Sequence, residues 1–482
     1  MKIAAFGLGA ALIAGCTAAE ADVQPPKDQL FFPTGLAVDP LETVLFSANS
    51  NSELRYDSGT LLVFDLKQIE QIITAWTTSR STGPCSIDPD HPESLICDEV
   101  PDPQNHISLV NPDAGVRTGN FATEISVQKF GNDPGDDHVR LFMPTRGDPS
   151  VNWADFDGTS LHCAPGNEKF ALCDDAHRLT QTIEDLDNTN LADEPFGVFA
   201  DGDADGTGFA VVSHQTNGAV TLIDSPRDGT VQIADTKYNV FLPDVLTAIR
   251  GSTGVAGRRD LTDPNSLAAN DTVYVSSRTD SKVQMFTVGR PVNHAPPYFV
   301  TGNFIELDQV GIGAGVGASV DSRGVKFSPD GNRMYLLTRT PPAIQLYDTA
   351  IGPSGFPRNE LTGASDICRN SSTLTIVNFD ASQPGSVPGS TPGVPSTVNE
   401  RGYLTCFDDN VIYVIDPTGS TSVEDIIPVG RGPFAIVAAP KAQLLFVSNF
   451  VEDTISVIDV NPTSPNRNRV VLRIGTPKAP TV

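Results

Sequence analysis

The apolar residues of this chain fall in short runs, and one arrangement of them recurs. A Gly or Pro turn leads into a short apolar strand, and a turn of Asp, Gly and Asn follows. A Val/Leu/Phe/Tyr strand ending in Ser, Thr or Asn comes next, then a polar turn and a third strand ending in Asp. The last copy is the plainest: Gly432–Val437, then Leu444–Asn449, then Thr454–Asp459. The first runs Pro33–Val38, Val44–Asn49 and Gly59–Asp65. Short strands at regular spacing, bounded by turn residues, predict an all-β array. Runs such as Leu61–Phe64 are apolar without alternation, as expected of strands buried on both faces.

Further copies are Pro195–Val198, Phe209–Ser213 and Ala219–Asp224; Pro264–Leu267, Thr272–Ser276 and Lys282–Phe286; and Gly324–Ser328, Met334–Thr338 and Ala343–Asp348. A divergent copy is Asp148–Val151, preceded by Val139–Met143. Another lies within residues 368–430, with Leu374–Val377 and Val411–Asp416. The segment Phe446-Val447-Ser448-Asn449 followed by Ser456-Val457-Ile458-Asp459 resembles the YVTN β-propeller repeat, and the Ser328-Pro329-Asp330-Gly331 turn is typical of the same repeats. The resemblance implies a single β-propeller over residues 29–476, with a tail at 477–482. Each blade then packs its sheet between two neighbours, and ring closure leaves few free edges. The units predict seven blades, with six as the alternative. Closure is expected to pair Leu30-Phe31-Phe32 with a last-blade strand such as Val470–Ile474.

Three stretches break the rhythm. Leu66–Trp76 carries apolar residues at Leu66, Ile69, Ile72, Ile73 and Trp76, which predicts a short helix on the outside of the first blade. Residues 80–120 and 155–193 are long and polar, and 380–398 is a Gly/Pro/Ser-rich insert. Such loops on a rigid scaffold are where function usually sits.

The N-terminus changes the picture. Lys2, an apolar run and Gly15-Cys16 describe a secretory signal over residues 1–15, too short to span a bilayer. Leu12-Ile13-Ala14-Gly15-Cys16 resembles the bacterial lipobox. The resemblance implies lipidation at Cys16 and an extracytoplasmic chain anchored to a membrane; Thr17 after the cysteine favours the outer membrane, on its periplasmic side or at the cell surface. Residues 16–28, small and polar, read as a flexible tether. Seven cysteines are present. With Cys16 set aside, an even number remains in an exported chain, which predicts disulfides. Of the fifteen pairings open to six cysteines, the sequential one closes three local loops and is the expectation: Cys85–Cys97, Cys163–Cys173 and Cys368–Cys406.

Against 59 acidic residues stand 32 basic ones, a net charge of −27. Such a surface repels phosphate backbones, so nucleic acid is excluded as a partner. Asp201-Gly202-Asp203-Ala204-Asp205-Gly206 matches the opening of a calcium loop, in which alternating carboxylates converge on one Ca2+. Val212 occupies the position where a bidentate acid belongs, and Asp and Gly also make hairpin turns. His162, Cys163, Cys173 and His177 could be read as a zinc set, but lack a short Cys-x-x-Cys knuckle; a disulfide is the expectation.

Charged residues stand beside Pro or Gly where strands enter the blade centres: Arg146 and Asp148, Glu194, Asp263, Arg323 and Arg431. Around one mouth of a propeller channel they could bind an anionic or polar ligand, or simply pair with one another. The chain has no Cys-x-x-Cys-His, Gly-x-Ser-x-Gly, His-Glu-x-x-His or phosphate loop, and no catalytic residue is assigned. The expected function is a binding scaffold for a protein, glycan or small ligand. The alternative is an enzyme of the lactonase or quinoprotein-dehydrogenase-like propeller type, to which the repeats bear a family-level resemblance.

Overall fold

In the computed structural model the chain is described over residues 23–477, apart from 106, 131–137, 167, 181–189, 204, 245–246, 259–271, 290–294, 308–319, 380–385, 389–399 and 418–421. The signal-like segment with Cys16, residue Asp263, the segment Pro264–Leu267 and most of the 380–398 insert lie outside the described residues.

Seven antiparallel sheets follow one another along the chain. Their innermost strands are Pro33–Val38, Ser126–Lys129, Pro195–Gly202, Ser252–Arg258, Asp321–Phe327, Ser371–Asn378 and Pro433–Ala439. These strands pack side by side in that order, and the last lies against the first. The fold is therefore a seven-bladed β-propeller, as the repeats predict. Six blades are ruled out by the count of sheets.

A register shift falls at the same place in blade after blade. It separates Pro195 from Val198, Ser252 from Val255, Ser322 from Val325, Ser371 from Leu374 and Pro433 from Ile436. A bulge leaves an inner-strand N–H without a strand partner. Buried, that N–H must find another acceptor. The hydroxyl that ends the second strand supplies it. Gly197 N donates to Ser213 Oγ, Gly254 N to Ser276 Oγ and Ala435 N to Ser448 Oγ, each at 2.9 Å. Two of these hydroxyls then donate onward to the next blade: Ser213 to the carbonyl of Thr253, and Ser276 to that of Arg323 at 2.6 Å. Threonines complete the pattern elsewhere. Thr34 Oγ1 reaches Ala122 O at 2.8 Å, Thr123 reaches Phe196 O at 2.5 Å, and Thr373 reaches Phe434 O at 2.5 Å. The Ser near the end of the second strand in blades 3, 4 and 7 thus has a physical cause, while Thr34, Thr123 and Thr373 make the blade-to-blade bond from the inner-strand side.

Neighbouring inner strands approach too closely there for a side chain. A Cβ on Gly254 would sit 2.1 Å from Arg323 O, and one on Gly197 would sit 2.2 Å from Thr253 O.

Two expectations are corrected. The divergent unit was placed with Asp148–Val151 as its entry strand. The entry strand of blade 2 is Ser126–Lys129, and Asp148-Pro149 lies in the hairpin between Val139–Thr145 and Ser150–Phe156. The fourth unit begins at Ser252–Arg258, whose Val255 pairs with Val275, rather than at Pro264. The small, Gly-containing sequence of Ser252–Arg258 hid that strand.

Closure also differs from expectation. Leu30–Phe32 does not pair with the last strand. The partner of Arg469–Ile474 is Leu95–Cys97, which adds in parallel from the excursion after the first-blade helix. That helix, Leu66–Ser79, starts at Asp65, whose carboxylate accepts Gln68 N at 3.0 Å, and it buries the five predicted apolar residues. Its buried face shares one core with Leu45 and Phe64 of blade 1 and Phe446, Val457 and Leu472 of blade 7. The excursion carries Asp88, which pairs with the buried Arg473 at 3.3 Å. The N-terminal segment contributes two bonds at the same seam: Leu30 N to Glu99 Oε1 at 2.7 Å and Phe32 N to Asp453 Oδ1 at 2.5 Å. A parallel strand borrowed from a polar loop has no periodic signal in sequence.

The cysteines pair as expected. Cα–Cα distances are 4.7 Å for Cys85–Cys97, 4.7 Å for Cys163–Cys173 and 5.8 Å for Cys368–Cys406. The first staples the hairpin of the seam.

The close approach of inner strands is testable. Gly254→Ala forces its methyl against Arg323 O, and overpacking of this kind costs about 1–3 kcal/mol. Urea unfolding should show a loss in that range, and an unchanged midpoint would contradict the strand approach.

Candidate functional site

The mouth at which the inner strands begin is built from two positions of the repeat. One is the residue two places beyond the position on the second strand that faces the bulge. It is Arg146 after Thr145, Arg278 after Ser277, Arg339 after Thr338, Phe407 after Cys406 and Phe450 after Asn449. The other is the inner-strand residue at the bulge: Phe196 in blade 3, Arg323 in blade 5 and Phe434 in blade 7.

A cavity of about 280 Å³ occupies this mouth, lined by Arg146, Arg323, Arg339, Phe196, Phe434 and Phe450. It leads into the channel proper, about 350 Å³, where Glu124 and Lys326 lie among inner-strand backbone. Glu124 borders both spaces and accepts Val198 N at 3.2 Å. Burial pushes its carboxyl above the usual range, against the pull of Lys326.

The guanidiniums are close enough to feel one another. Burial first, then Arg323, lowers the pKa of Arg339 to about 10. Burial, followed by Arg323, also lowers that of Arg278, with Arg146 adding to the effect. Two carboxylates offset this charge. Glu194 pairs with Arg146 at 3.0 Å, and Asp321 pairs with Arg323 at 2.6 Å. Arg339 donates to Ser371 O at 3.2 Å and to Ser372 Oγ. Neither Arg278 nor Arg339 makes an ion pair among the described residues. Arg146 Nε is buried with no hydrogen-bond partner there. The mouth is a cationic site in a protein of net charge −27.

The other side of the same mouth is aromatic. Phe434 and Phe450 stand 6.0 Å apart between centroids, and Phe32 and Phe407 stand 5.5 and 6.4 Å from Phe450.

Of the residues singled out from sequence, Arg146, Glu194 and Arg323 meet at the mouth. Asp148 turns to Arg178, whose attraction is outweighed by burial, so its carboxyl lies above the usual range. Arg431 lies on blade 7, 3.7 Å from Glu452. Arg278, Arg339 and the phenylalanines were missed. Aligning the repeats on Ser276, Leu337, Thr405 and Ser448 and reading two residues further finds Arg278, Arg339, Phe407 and Phe450.

Asp201 and Asp203 flank the hairpin between Pro195–Gly202 and Gly208–His214. Gly206 N donates to Asp203 O at 3.0 Å, and Thr207 Oγ1 to Asp205 Oδ1 at 2.6 Å. Among the described residues no group of three or more His, Cys, Asp or Glu side chains is placed to hold a metal ion. His162 pairs with Asp157 and His177 with Asp174, while Cys163 and Cys173 are joined to each other.

No protein-family model and no curated protein matches the chain. Solved structures do. A structure described as a candidate 6-phosphogluconolactonase from Bacteroides fragilis shares 11% identity, with 91% of this chain and 99% of that one covered, at a TM-score of 0.52. The periplasmic gluconolactonase of Pseudomonas aeruginosa shares 16%, covering 77% and 91%, at 0.48. Hydrazine synthase of Kuenenia stuttgartiensis shares 12%, covering 91% and 98%, at 0.48. At such identities the likeness is one of fold, and the class it defines is the β-propeller.

One buried titratable group lies just below the mouth. His214 Nδ1 donates to Asp193 O at 3.1 Å, so Nε2 accepts from Thr221 Oγ1 at 2.9 Å and the ring is neutral. Burial lowers its pKa to about 4 from 6.5. A depressed value means that the unfolded chain takes up the proton first as pH falls. Stability is therefore full above pH 6.5 and declines toward pH 4, by as much as about 3 kcal/mol. Urea midpoints of wild type and His214→Gln measured across this range should diverge, with the variant's acid slope the shallower. Parallel slopes would contradict the assignment.

Proposed function

We propose that this chain is a membrane-tethered, extracytoplasmic propeller of YVTN-type repeats that binds a small anionic ligand at its arginine-rich mouth. The carrying observation is the convergence of Arg146, Arg323 and Arg339 on one cavity, with Arg278 near enough to Arg323 and Arg146 to feel their charge; among the described residues carboxylates pair with Arg146 and Arg323 and with neither Arg278 nor Arg339. Guanidinium forks suit carboxylate and phosphate oxygens, and a desolvated mouth strengthens such bonds. The cavity of about 280 Å³ is of small-ligand size and sits at the lower end of the usual range. Tethering through Cys16 and export are supported by the lipobox-like segment and by the three disulfides. Nothing beyond likeness of fold favours the catalytic alternative.

Calorimetry on the full chain with acetate, citrate, phosphate and 4-phenylbutyrate tests the site. At least one of these probes should bind at low salt, weaken as salt rises, and weaken tenfold or more in Arg278→Gln/Arg339→Gln. The absence of binding by all four would overturn the proposal. The same preparation tests the tether: wild type should partition into the detergent phase and Cys16→Ser into water. Identical partitioning would remove that part.

A further inference from the structure

The mouth is divided by chemistry as well as by charge. Blades 4 and 5 present Arg278, Arg323 and Arg339, whereas blades 6 and 7 present Phe407, Phe434 and Phe450 at equivalent positions of the repeat. The two halves touch. Arg339 of blade 5 donates to the backbone of Ser371 and the hydroxyl of Ser372 in blade 6. Thr373, the next residue, donates to Phe434 O in blade 7. Arg323, Arg339, Phe434 and Phe450 therefore line one cavity.

The phenylalanines are half-buried although they stand at strand ends on the rim, where the same repeat position elsewhere holds Ser50 or Gln215. They stack on one another, Phe450 lying within 6.4 Å of Phe32, Phe407 and Phe434 by ring centroid. Together they keep an apolar wall open to the cavity. A rim wall of this kind gains free energy when a ligand removes it from water. A purely polar anion would satisfy the guanidiniums and leave that wall wet.

We propose that the ligand is amphiphilic: a small carboxylate carried on an aromatic or acyl body, its head on Arg323 and Arg339 and its body against Phe434 and Phe450. This rests on the anion-binding reading above and deepens it. The charge balance allows for one such head. Glu194 and Asp321 each occupy one guanidinium, and Glu124 at the cavity floor faces Lys326 in the channel. Arg339, which lines the cavity and makes no ion pair among the described residues, is left to receive it, with Arg278 adding positive charge nearby. Asp408 is the further acid whose charge reaches Arg339, and it also accepts from Asn370.

Three probes of matched size and one small control separate the possibilities: 4-phenylbutyrate, its uncharged amide 4-phenylbutyramide, citrate and acetate, titrated into the full chain. We expect 4-phenylbutyrate to bind at least tenfold more tightly than acetate and than its own amide. In Phe434→Ala/Phe450→Ala the advantage over acetate should shrink to less than threefold. In Phe434→Leu/Phe450→Leu, which keeps apolar bulk and guards against a variant that fails to fold, most of it should persist. Citrate or acetate binding as tightly as 4-phenylbutyrate would overturn the amphiphile inference and leave the anion site standing. Binding of the amide at the level of the acid would also overturn it, because the guanidiniums would then be idle. Silence from every probe would remove both.

Discussion

The ring is stitched by one recurring arrangement: in blades 3 and 4 a serine near the end of the second strand accepts the N–H freed by the inner-strand bulge and passes its own proton to the next blade. Ser213 and Ser276 do both. In these blades the hydroxyl gives the N–H at the bulge its acceptor. The Gly beside each hydroxyl lets the next strand come close enough to receive the bond. The mouth inherits its geometry from this arrangement, since the residues lining it stand next to the stitched positions. Their side chains take little part in the stitch, so arginine, glutamine, serine and phenylalanine can all occupy the rim of one scaffold.

The seam between blades 7 and 1 is closed differently. A strand, a helix and a disulfide-stapled hairpin drawn from blade 1 cover the edge of blade 7. The long polar stretch before residue 116 forms a clasp across the seam. Its buried Arg473–Asp88 pair is costly to desolvate, yet each partner is held among neighbours: Arg473 also lies 3.7 Å from Glu452, and Asp88 accepts Asp90 N at 3.0 Å.

Sequence made the blades legible because strand burial on both faces writes itself as short apolar runs, and the hydroxyl at the second strand's end marks the register. The first-blade helix was legible down to its five buried residues. Two entry strands were not. Ser252–Arg258 is rich in small residues and pairs through its backbone, and Ser126–Lys129 carries a single apolar residue. The site was half legible. Arg146, Glu194 and Arg323 stand beside glycine or proline, which drew attention to them. Arg278 and Arg339 stand inside ordinary polar sequence, and only the ring brings them together across blades. The Asp201–Asp205 run reads equally as a metal loop or a hairpin, and in the fold its residues make hairpin bonds.

The central claim is that the mouth guanidiniums serve a ligand rather than the fold. Arg278 is the cleanest case, since burial and neighbouring Arg323 oppose its charge more than Asp321 and Glu194 favour it, and it makes no ion pair among the described residues. The decisive measurement is the thermal midpoint of Arg278→Gln at low ionic strength without ligand. If the guanidinium is held against the fold's preference, the midpoint stays level or rises. A fall of more than about 2 °C, on the order of 2 kcal/mol in a chain of this size, would make Arg278 a structural residue and contradict the account.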